Sequence, residues 1–139
     1  MEQYEKDVIN ARENKLDQRF ANSIIEHARI LTKEIIFDAK NKVSILSDSF
    51  NEFLYSKLEE NIENFLKKDN ENIFELIVSN QQKENKLIQR FQKDFPTQFQ
   101  VKFISEDKFP TDNDTKERVN YIVNDNNAFR YEYSDKNIQ

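Results

Sequence analysis

The 139-residue sequence contains no glycine, no cysteine and no tryptophan, and it has two prolines and one histidine. Without glycine, the chain lacks the flexible loops that hold phosphate in Walker-type and dinucleotide-binding proteins. Without cysteine, it has no disulfide framework, no thiolate nucleophile and no cysteine ligand for zinc, which suits a reducing compartment. The composition therefore implies no cofactor and no metal, and we expect a cytoplasmic protein.

Long apolar runs and blocks of like charge are also missing. No run approaches the roughly 20 apolar residues that cross a bilayer, and the first residues lack the apolar centre of a signal peptide. The net charge is −5, and cations alternate with carboxylates, so the chain has no general attraction to nucleic acid. The twelve phenylalanines and five tyrosines argue against disorder and can form a core. We expect one soluble domain over residues 1–139 that has no membrane association.

The first forty residues have the pattern of a helix. From about Glu5 to Lys40, apolar residues recur at helical spacing with no proline or glycine between them. The sequence predicts one long N-terminal helix over residues 1–40, followed by an α/β body over residues 41–139. Because the beginning of this helix is mostly charged, we expect it to project from the body or to pair with another chain.

The body alternates between strand and helix patterns. "KVSILS" (42–47) is typical of a short buried strand, "NIFELIVS" (72–79) of a strand covered on both faces, and "QFQVKFIS" (98–105) of a strand with one wet face. Helical spacing separates them, and two further strands surround a polar turn in "RVNYIVNDNNAFRYEY" (118–133). The order predicts a three-layer α/β fold with a mostly parallel sheet and a C-terminal β-hairpin. We expect the loop "EDKFPTDNDTKE" (106–117) to be mobile and exposed.

Polar residues follow the first two strands. Asp48 and Ser49 come directly after the first strand, and Asn80 follows the second. Open α/β sheets bind ligands at the carboxyl ends of their strands, so these residues are candidates for ligand or partner contact. The alternative, which we favour for the serines and Asp48, is that they cap the helix that follows.

Two other features have a structural and a functional interpretation. His27 is the only histidine and lies on or beside the apolar stripe of the first helix; without a second histidine or a cysteine, a packed structural role is favoured over a base or metal ligand. Lys83, Lys86, Arg90 and Lys93 are three or four residues apart on one helix. Such a row can follow a phosphate backbone, although a solvated helix face is the favoured interpretation.

The layout resembles one half of the phospholipase D superfamily over about residues 20–135, on the strands "KVSILSDSFNEF" and "NIFELIVS" and the closing turn with Asp125. Halves of that family carry the signature H-x-K-x4-D-x6-G-S. Aligned on "YIVND", the sequence has Arg118 at the histidine position, Asn120 at the lysine position, and Glu132 and Tyr133 at the glycine and serine positions. Only Asp125 matches. Family halves continue beyond this point, so we expect either that a second chain completes the sheet edge or that this is a minimal variant.

The resemblance implies a function without catalysis. Members that lack the signature include uncharacterised proteins near bacterial anti-phage defence genes, and family members work as paired halves. We therefore expect a homodimeric interaction or regulatory module with a protein partner, and nucleic acid is not the favoured partner. Arg130, Tyr131 and Glu132 form a candidate contact patch, because arginine and aromatic residues are enriched at interface centres.

Two alternatives stay open. The first is a phosphodiesterase or nuclease that uses Asp125, Arg118, Asn120 and Arg130 around a phosphate, with His27 contributed from elsewhere. The second is a small acidic inhibitor or antitoxin-like protein that occupies a basic groove, whose binding would weaken sharply with salt.

Overall fold

The computed structural model describes residues 2–13, 25–48, 50, 55–111 and 120–132. Its helices are α1 (Glu2–Glu13), α2 (Ile25–Asp38), α3 (Glu59–Lys68) and α4 (Lys86–Asp94). Its strands are β1 (Lys42–Ser47), β2 (Ile73–Ser79), β3 (Phe99–Ile104), β4 (Asn120–Asn124) and β5 (Phe129–Glu132). Short 3₁₀ turns cover Asn80–Gln82 and Glu106–Lys108. None of the helices in these ranges has the length and apolar character needed to span a membrane.

The five strands form one mixed sheet in the order β3-β2-β1-β4-β5. β1, β2 and β3 are parallel, β4 is antiparallel to β1, and β5 is antiparallel to β4. The α/β class is therefore as predicted, and the three parallel strands begin and end within a residue or two of their predicted bounds.

The helices cover one face of this sheet, which we call the covered face. Its centre is Phe74, whose ring lies 6.5 Å from that of Phe65 on α3 and 5.5 Å from that of Phe99 on β3. The chain steps from β1 to β2 to β3 in one direction, and right-handed crossovers in one direction place their helices on the same side. The prediction of three layers is wrong for the described ranges, in which every helix belongs to the covered face.

The other face, which we call the open face, carries side chains with no described helix over them: Leu46, Ile77, Lys102, Ile104, Tyr121, Val123 and Phe129. The burial of β2 shows the contrast between the two faces. Phe74, Leu76 and Val78 are fully buried, whereas Ile73 and Ile77 are half-buried. The prediction that β2 is covered on both faces is wrong, because its apolar run includes residues of the open face.

The N-terminal helix is not continuous. The ring of Tyr4 on α1 stacks on the ring of His27 on α2 with 3.9 Å between centroids. Arg12 forms an ion pair with Glu34 and lies 4.4 Å from the ring of Phe37. In one unbroken helix, Tyr4 and His27 would be about 35 Å apart, at about 1.5 Å per residue. The prediction of one long helix is therefore wrong: α1 lies beside α2 and shields its outer side.

The loop after β3 is more ordered than expected in its first part. The 3₁₀ turn Glu106–Lys108 follows β3 closely, and the side chain of Phe109 is buried. This phenylalanine anchors the beginning of the loop, while residues 112–119 lie outside the described ranges.

Candidate functional site

The carboxyl ends of the parallel strands carry a group of buried polar side chains. Ser47 ends β1 and Asp48 follows it, Ser79 ends β2, and Asn120 begins the antiparallel β4, so all four lie at the same end of the strands. Each is at most 4% exposed. Because burying a polar group is costly unless it is hydrogen-bonded, the bonds at this edge decide what these side chains can do.

Side-chain oxygens at this edge bind backbone N–H groups. The backbone N–H of Asp48 donates to Oδ1 of Asn120 at 2.9 Å, which ties β1 to β4. The N–H of Ser79 donates to the carbonyl of Asp48 at 3.3 Å, which ties β2 to β1. The N–H of Phe50 donates to Oγ of Ser47 at 2.9 Å. The structure thus brings Asp48 and Asn120 together, and it uses the backbone groups of Asp48 and the amide oxygen of Asn120 to join strand ends.

Phe50 has an unusual backbone conformation, with φ at 43°. Its side chain is fully buried and its ring stacks on that of Tyr55 at 4.2 Å. The left-handed region costs a bulky residue about 1–2 kcal/mol, and glycine is the usual residue there. Phe50 is itself not helical, so the bond from its N–H to Oγ of Ser47 closes a turn. The beginning of the helix that these residues were expected to cap lies outside the described ranges, so capping stays a prediction.

The end of β2 has a similar arrangement. Oγ of Ser79 accepts the N–H of Gln81 at 3.2 Å and donates to Oε1 of Glu106 at 3.5 Å. Asn80 begins the 3₁₀ turn with an exposed side chain at the same edge as Asp48, as expected from the strand order. The side chain of Asn85 caps α4 by accepting two of its first N–H groups.

Tyr4 on α1 lies near two other chemically interesting side chains, His27 on α2 and Arg130 on β5. His27 is half-buried on α2 and stacks on Tyr4. Arg130 projects from β5 towards the covered face, where it is 6% exposed. Burial raises the pKa of Tyr4 to about 12, and the nearby cation of Arg130 partly offsets this rise. Because its ring stacks on that of Tyr4, His27 contributes to the packing of α1 on α2.

Asp125 lies at the opposite end of β4 from Asn120, about 16 Å away along the strand at about 3.3 Å per residue. Its carboxylate oxygens accept the backbone N–H groups of Lys40 and Asn41, each at 2.8 Å. The limited desolvation of this exposed carboxyl opposes ionisation, but the hydrogen bonds from the backbone N–H groups of Asn41 and Lys40 outweigh it and hold the pKa of Asp125 below its usual range. The structure gives Asp125 a role in the loop between α2 and β1 and does not bring it to the edge that carries Asn120.

The rest of the turn also binds α2. Nδ2 of Asn124 donates to the carbonyl of Ile35 at 2.8 Å, and Nδ2 of Asn126 donates to the carbonyl of Asp38 at 3.2 Å. Asn127 has φ at 68°, a conformation that asparagine tolerates better than most residues in a chain without glycine. The polar turn is thus explained by its contacts with the end of α2.

The remaining candidates are partly outside the structure. Arg118 and Ser49 lie outside the described ranges, so their proposed roles stay predictions. Tyr131 and Glu132 belong to β5, and the register places Glu132 opposite Asn120. The Arg130 side chain is buried under the helices and is therefore not available at the surface, whereas a contact role for Tyr131 and Glu132 stays a prediction.

The predicted row of cations begins before α4, since Lys83 precedes that helix, and it is interrupted by carboxylates. Nη1 of Arg90 lies 2.6 Å from Glu59 and Nη2 lies 2.8 Å from Glu63, both on α3. Nε of Arg90 lies 3.3 Å from Asp94 on its own helix. Arg90 therefore joins α3 to α4, and the row does not present an uninterrupted positive stripe.

Sequence reasoning missed a depression on the open face. It has a volume of about 280 Å³ and is lined by Leu46, Ile77, Lys102, Ile104, Lys108, Pro110 and Tyr121. The alternation of β3 had placed Lys102 on the wet face. Only the folded chain brings Lys108, from the following loop, to the same depression.

No family model matches the chain, and no curated protein matches it. Among solved structures, the chain is similar to TrmBL2, an archaeal chromatin protein whose structure is described as showing a novel mode of DNA binding. The two are 14% identical with a TM-score of 0.51, and the match covers 97% of this chain and 53% of the TrmBL2 chain. The chain thus spans about half the length of the protein that it matches. At this identity the likeness shows the fold alone: this chain has an α/β fold similar to that of about half of TrmBL2.

Proposed function

We propose that the chain is a non-catalytic interaction module of phospholipase D-like layout, which works as a homodimer and regulates a protein partner, with bacterial anti-phage defence as the setting that the resemblance implies. The observation that carries the proposal is the position of β5 at the end of the sheet, with no further described strand beside it. An edge strand offers a row of N–H and C=O groups to which a second chain can add.

The side chains at the carboxyl ends of the parallel strands support a role without catalysis. Asn120, which stands at the lysine position of the family signature, accepts the N–H of Asp48 and is 2% exposed. Arg118, at the histidine position, has a guanidinium that stays protonated and cannot act as a nucleophile. The hydroxyl oxygens of Ser47 and Ser79 accept backbone N–H groups. These side chains hold the strand ends in place, so their role is structural.

The hydrogen-bond pattern of β4 and β5 identifies the groups that face outward. The N–H of Asn124 donates to the carbonyl of Ala128 at 3.0 Å, and bonded positions alternate along antiparallel strands. Arg130 is therefore bonded to β4, whereas the backbone N–H groups of Phe129 and Tyr131 point away from the sheet. The Phe129 side chain is 72% exposed at the same edge. Pairing of two copies through β5 would use these N–H groups and cover this ring.

DNA binding, which is described for TrmBL2, has less support in this chain. The net charge is −5, and Arg90 in the middle of the cation row is bonded to Glu59 and Glu63. A phosphate backbone needs a continuous line of available cations. We therefore treat DNA as an outcome to test and not as the proposed partner.

The test is the mass of the purified chain by light scattering coupled to size exclusion, over a concentration series. We expect twice the 16.8 kDa of one chain. Tyr131→Pro removes an outward N–H without removing a bond to β4, and Phe129→Lys places a charge on the edge; both should give the monomer. Phe37→Ser is the matched control, because Phe37 is 63% exposed but belongs to α2 and not to the sheet, and the variant should stay dimeric.

The results separate the parts of the proposal. A wild-type chain that is monomeric at every concentration refutes pairing, and a dimer that survives Tyr131→Pro with unchanged circular dichroism refutes the β5 edge as its interface. Cleavage of single-stranded DNA or of bis(p-nitrophenyl) phosphate, abolished by Asn120→Ala but not by Phe37→Ser, would refute a non-catalytic role. Salt-sensitive binding of duplex DNA in fluorescence anisotropy would favour the nucleic-acid alternative.

A further inference from the structure

The depression on the open face is built from the carboxyl halves of β1, β2 and β3 and from the amino end of the antiparallel β4. In the register of the sheet, Ile77 lies between Lys102 and Leu46, and Leu46 lies beside Tyr121, so one row of side chains crosses β3, β2, β1 and β4. Leu46 is 5% exposed and forms the floor. Ile104 and Pro110 complete an apolar lining at the end of the row.

Two lysines stand at this apolar lining. Within the described part of the chain, neither Lys102 nor Lys108 forms an ion pair. The cation of Lys42, on the same face, lies 3.7 Å from a carboxylate oxygen of Glu75 and is therefore neutralised. In a chain with a net charge of −5, the depression is thus a local site that combines available positive charge with apolar surface.

We propose that this depression binds a small organic anion with an apolar body, such as a medium-chain or aromatic carboxylate. The body would lie on Leu46, Ile77 and Ile104, and the anionic head would lie near the ammonium groups of Lys102 and Lys108. Its volume of about 280 Å³ is just below the roughly 300–1,000 Å³ of most ligand pockets, which suits a ligand smaller than a nucleotide. Apolar walls with a few well-placed polar groups are the usual composition of such sites.

This inference goes beyond the proposed function and does not depend on pairing. The depression is formed by one chain, on the β3 side of the sheet, whereas the proposed interface is the β5 edge. A chain that stays monomeric can therefore still bind the anion, and a dimer can still fail to bind it.

The experiment is calorimetric titration of the full chain with octanoate. We expect saturable binding at one site, weakened at least about tenfold in Lys102→Gln/Lys108→Gln, because both charges that hold the carboxylate are removed. Lys68→Gln/Lys93→Gln is the matched control: both lysines are exposed, on α3 and α4, and binding should stay within about twofold of the wild type. Octanamide, which has the same chain without the charge, should bind at least about tenfold more weakly.

A second variant tests the apolar lining. Ile77→Ser shortens a half-buried side chain on the open face, so it should weaken octanoate binding several-fold while leaving the circular dichroism spectrum unchanged. The proposal is overturned if octanoate shows no saturable binding up to roughly 10 mM. It is also overturned if the Lys102 and Lys108 double variant binds as tightly as the control, or if inorganic phosphate binds as tightly as octanoate.

Discussion

Replacing Asp125 with alanine removes two hydrogen bonds that hold the loop between α2 and β1. The carboxylate accepts the N–H groups of Lys40 and Asn41, each at 2.8 Å. Bonds to a charged group contribute about 1.5–3 kcal/mol each, and because Asp125 is exposed we take about 1 kcal/mol per bond. The total of about 2 kcal/mol corresponds to a fall in Tm of about 7 °C for a chain of this length.

The measurement is urea unfolding followed by circular dichroism at several pH values. A carboxyl whose pKa is lowered by folding stabilises the protein above the pKa of the unfolded chain, and this contribution is lost as the pH falls through the folded pKa. The difference between wild type and Asp125→Ala should therefore be constant near neutral pH and shrink below about pH 4. Asp107→Ala, at an exposed position of a 3₁₀ turn, is the control and should change stability by less than about 0.5 kcal/mol.

Two results would refute this account of Asp125. A variant as stable as the wild type at pH 7 would mean that the two hydrogen bonds contribute nothing. A loss of the same size at pH 3 and pH 7 would mean that the charge of the carboxylate is irrelevant. Loss of a cellular or enzymatic activity with unchanged stability would instead support the alternative in which Asp125 is a catalytic residue.

Three further predictions concern the turn and α1. Asn124→Ala should lower the free energy of unfolding in urea by about 2–3 kcal/mol, because it leaves the carbonyl of Ile35 without its donor; no loss would contradict this. Asn127→Gly should be neutral or slightly stabilising and Asn127→Val should cost about 1 kcal/mol or more, since φ is 68°, and equal stabilities would disprove the strain argument. In an ultraviolet pH titration one tyrosine should ionise with a pKa of about 12, because burial of Tyr4 outweighs the effect of Arg130, and Tyr4→Phe should remove that step.

Strand positions could be predicted because their signal is local. "KVSILS" predicted β1 at Lys42–Ser47 as observed, and the alternation of Phe99, Gln100 and Val101 predicted which side of β3 is wet. The helical spacing predicted between the first two strands also matches burial in its described part, where Leu58 and Ile62 are buried. In each case one face of the strand or helix is buried, and this burial sets the spacing of the apolar residues along the sequence.

The number of layers and the break in the first helix depend on contacts between distant residues. Ile73 and Ile77 are apolar although they lie on the open face, so the composition of β2 could not reveal that one face lacks a helix. The helical pattern of the first forty residues has no proline or glycine to mark an interruption. Only the packing of Tyr4 on His27, which are far apart in sequence, shows that α1 turns back on α2.

The candidate site was predictable in position but not in chemistry. Strand order brought Asp48 and Asn80 to one edge, as expected. The sequence did not indicate that Asn120 would accept the N–H of Asp48, because this pairing needs β4 to lie beside β1. Nor did it indicate the meeting of Lys102 with Lys108, which depends on the path of the loop after β3.

The contacts of the turn after β4 also constrain how the chain reaches its native state. Asn124, Asp125 and Asn126 bind residues 35–41, at sequence separations of 84 to 89 residues. β1, in the middle of the sheet, also pairs with β4 across a similar distance. Contacts between residues so far apart in sequence form slowly, since a long loop must close before they are made. During synthesis, the corner between α2 and β1 must therefore wait for β4 to leave the ribosome before it makes these contacts.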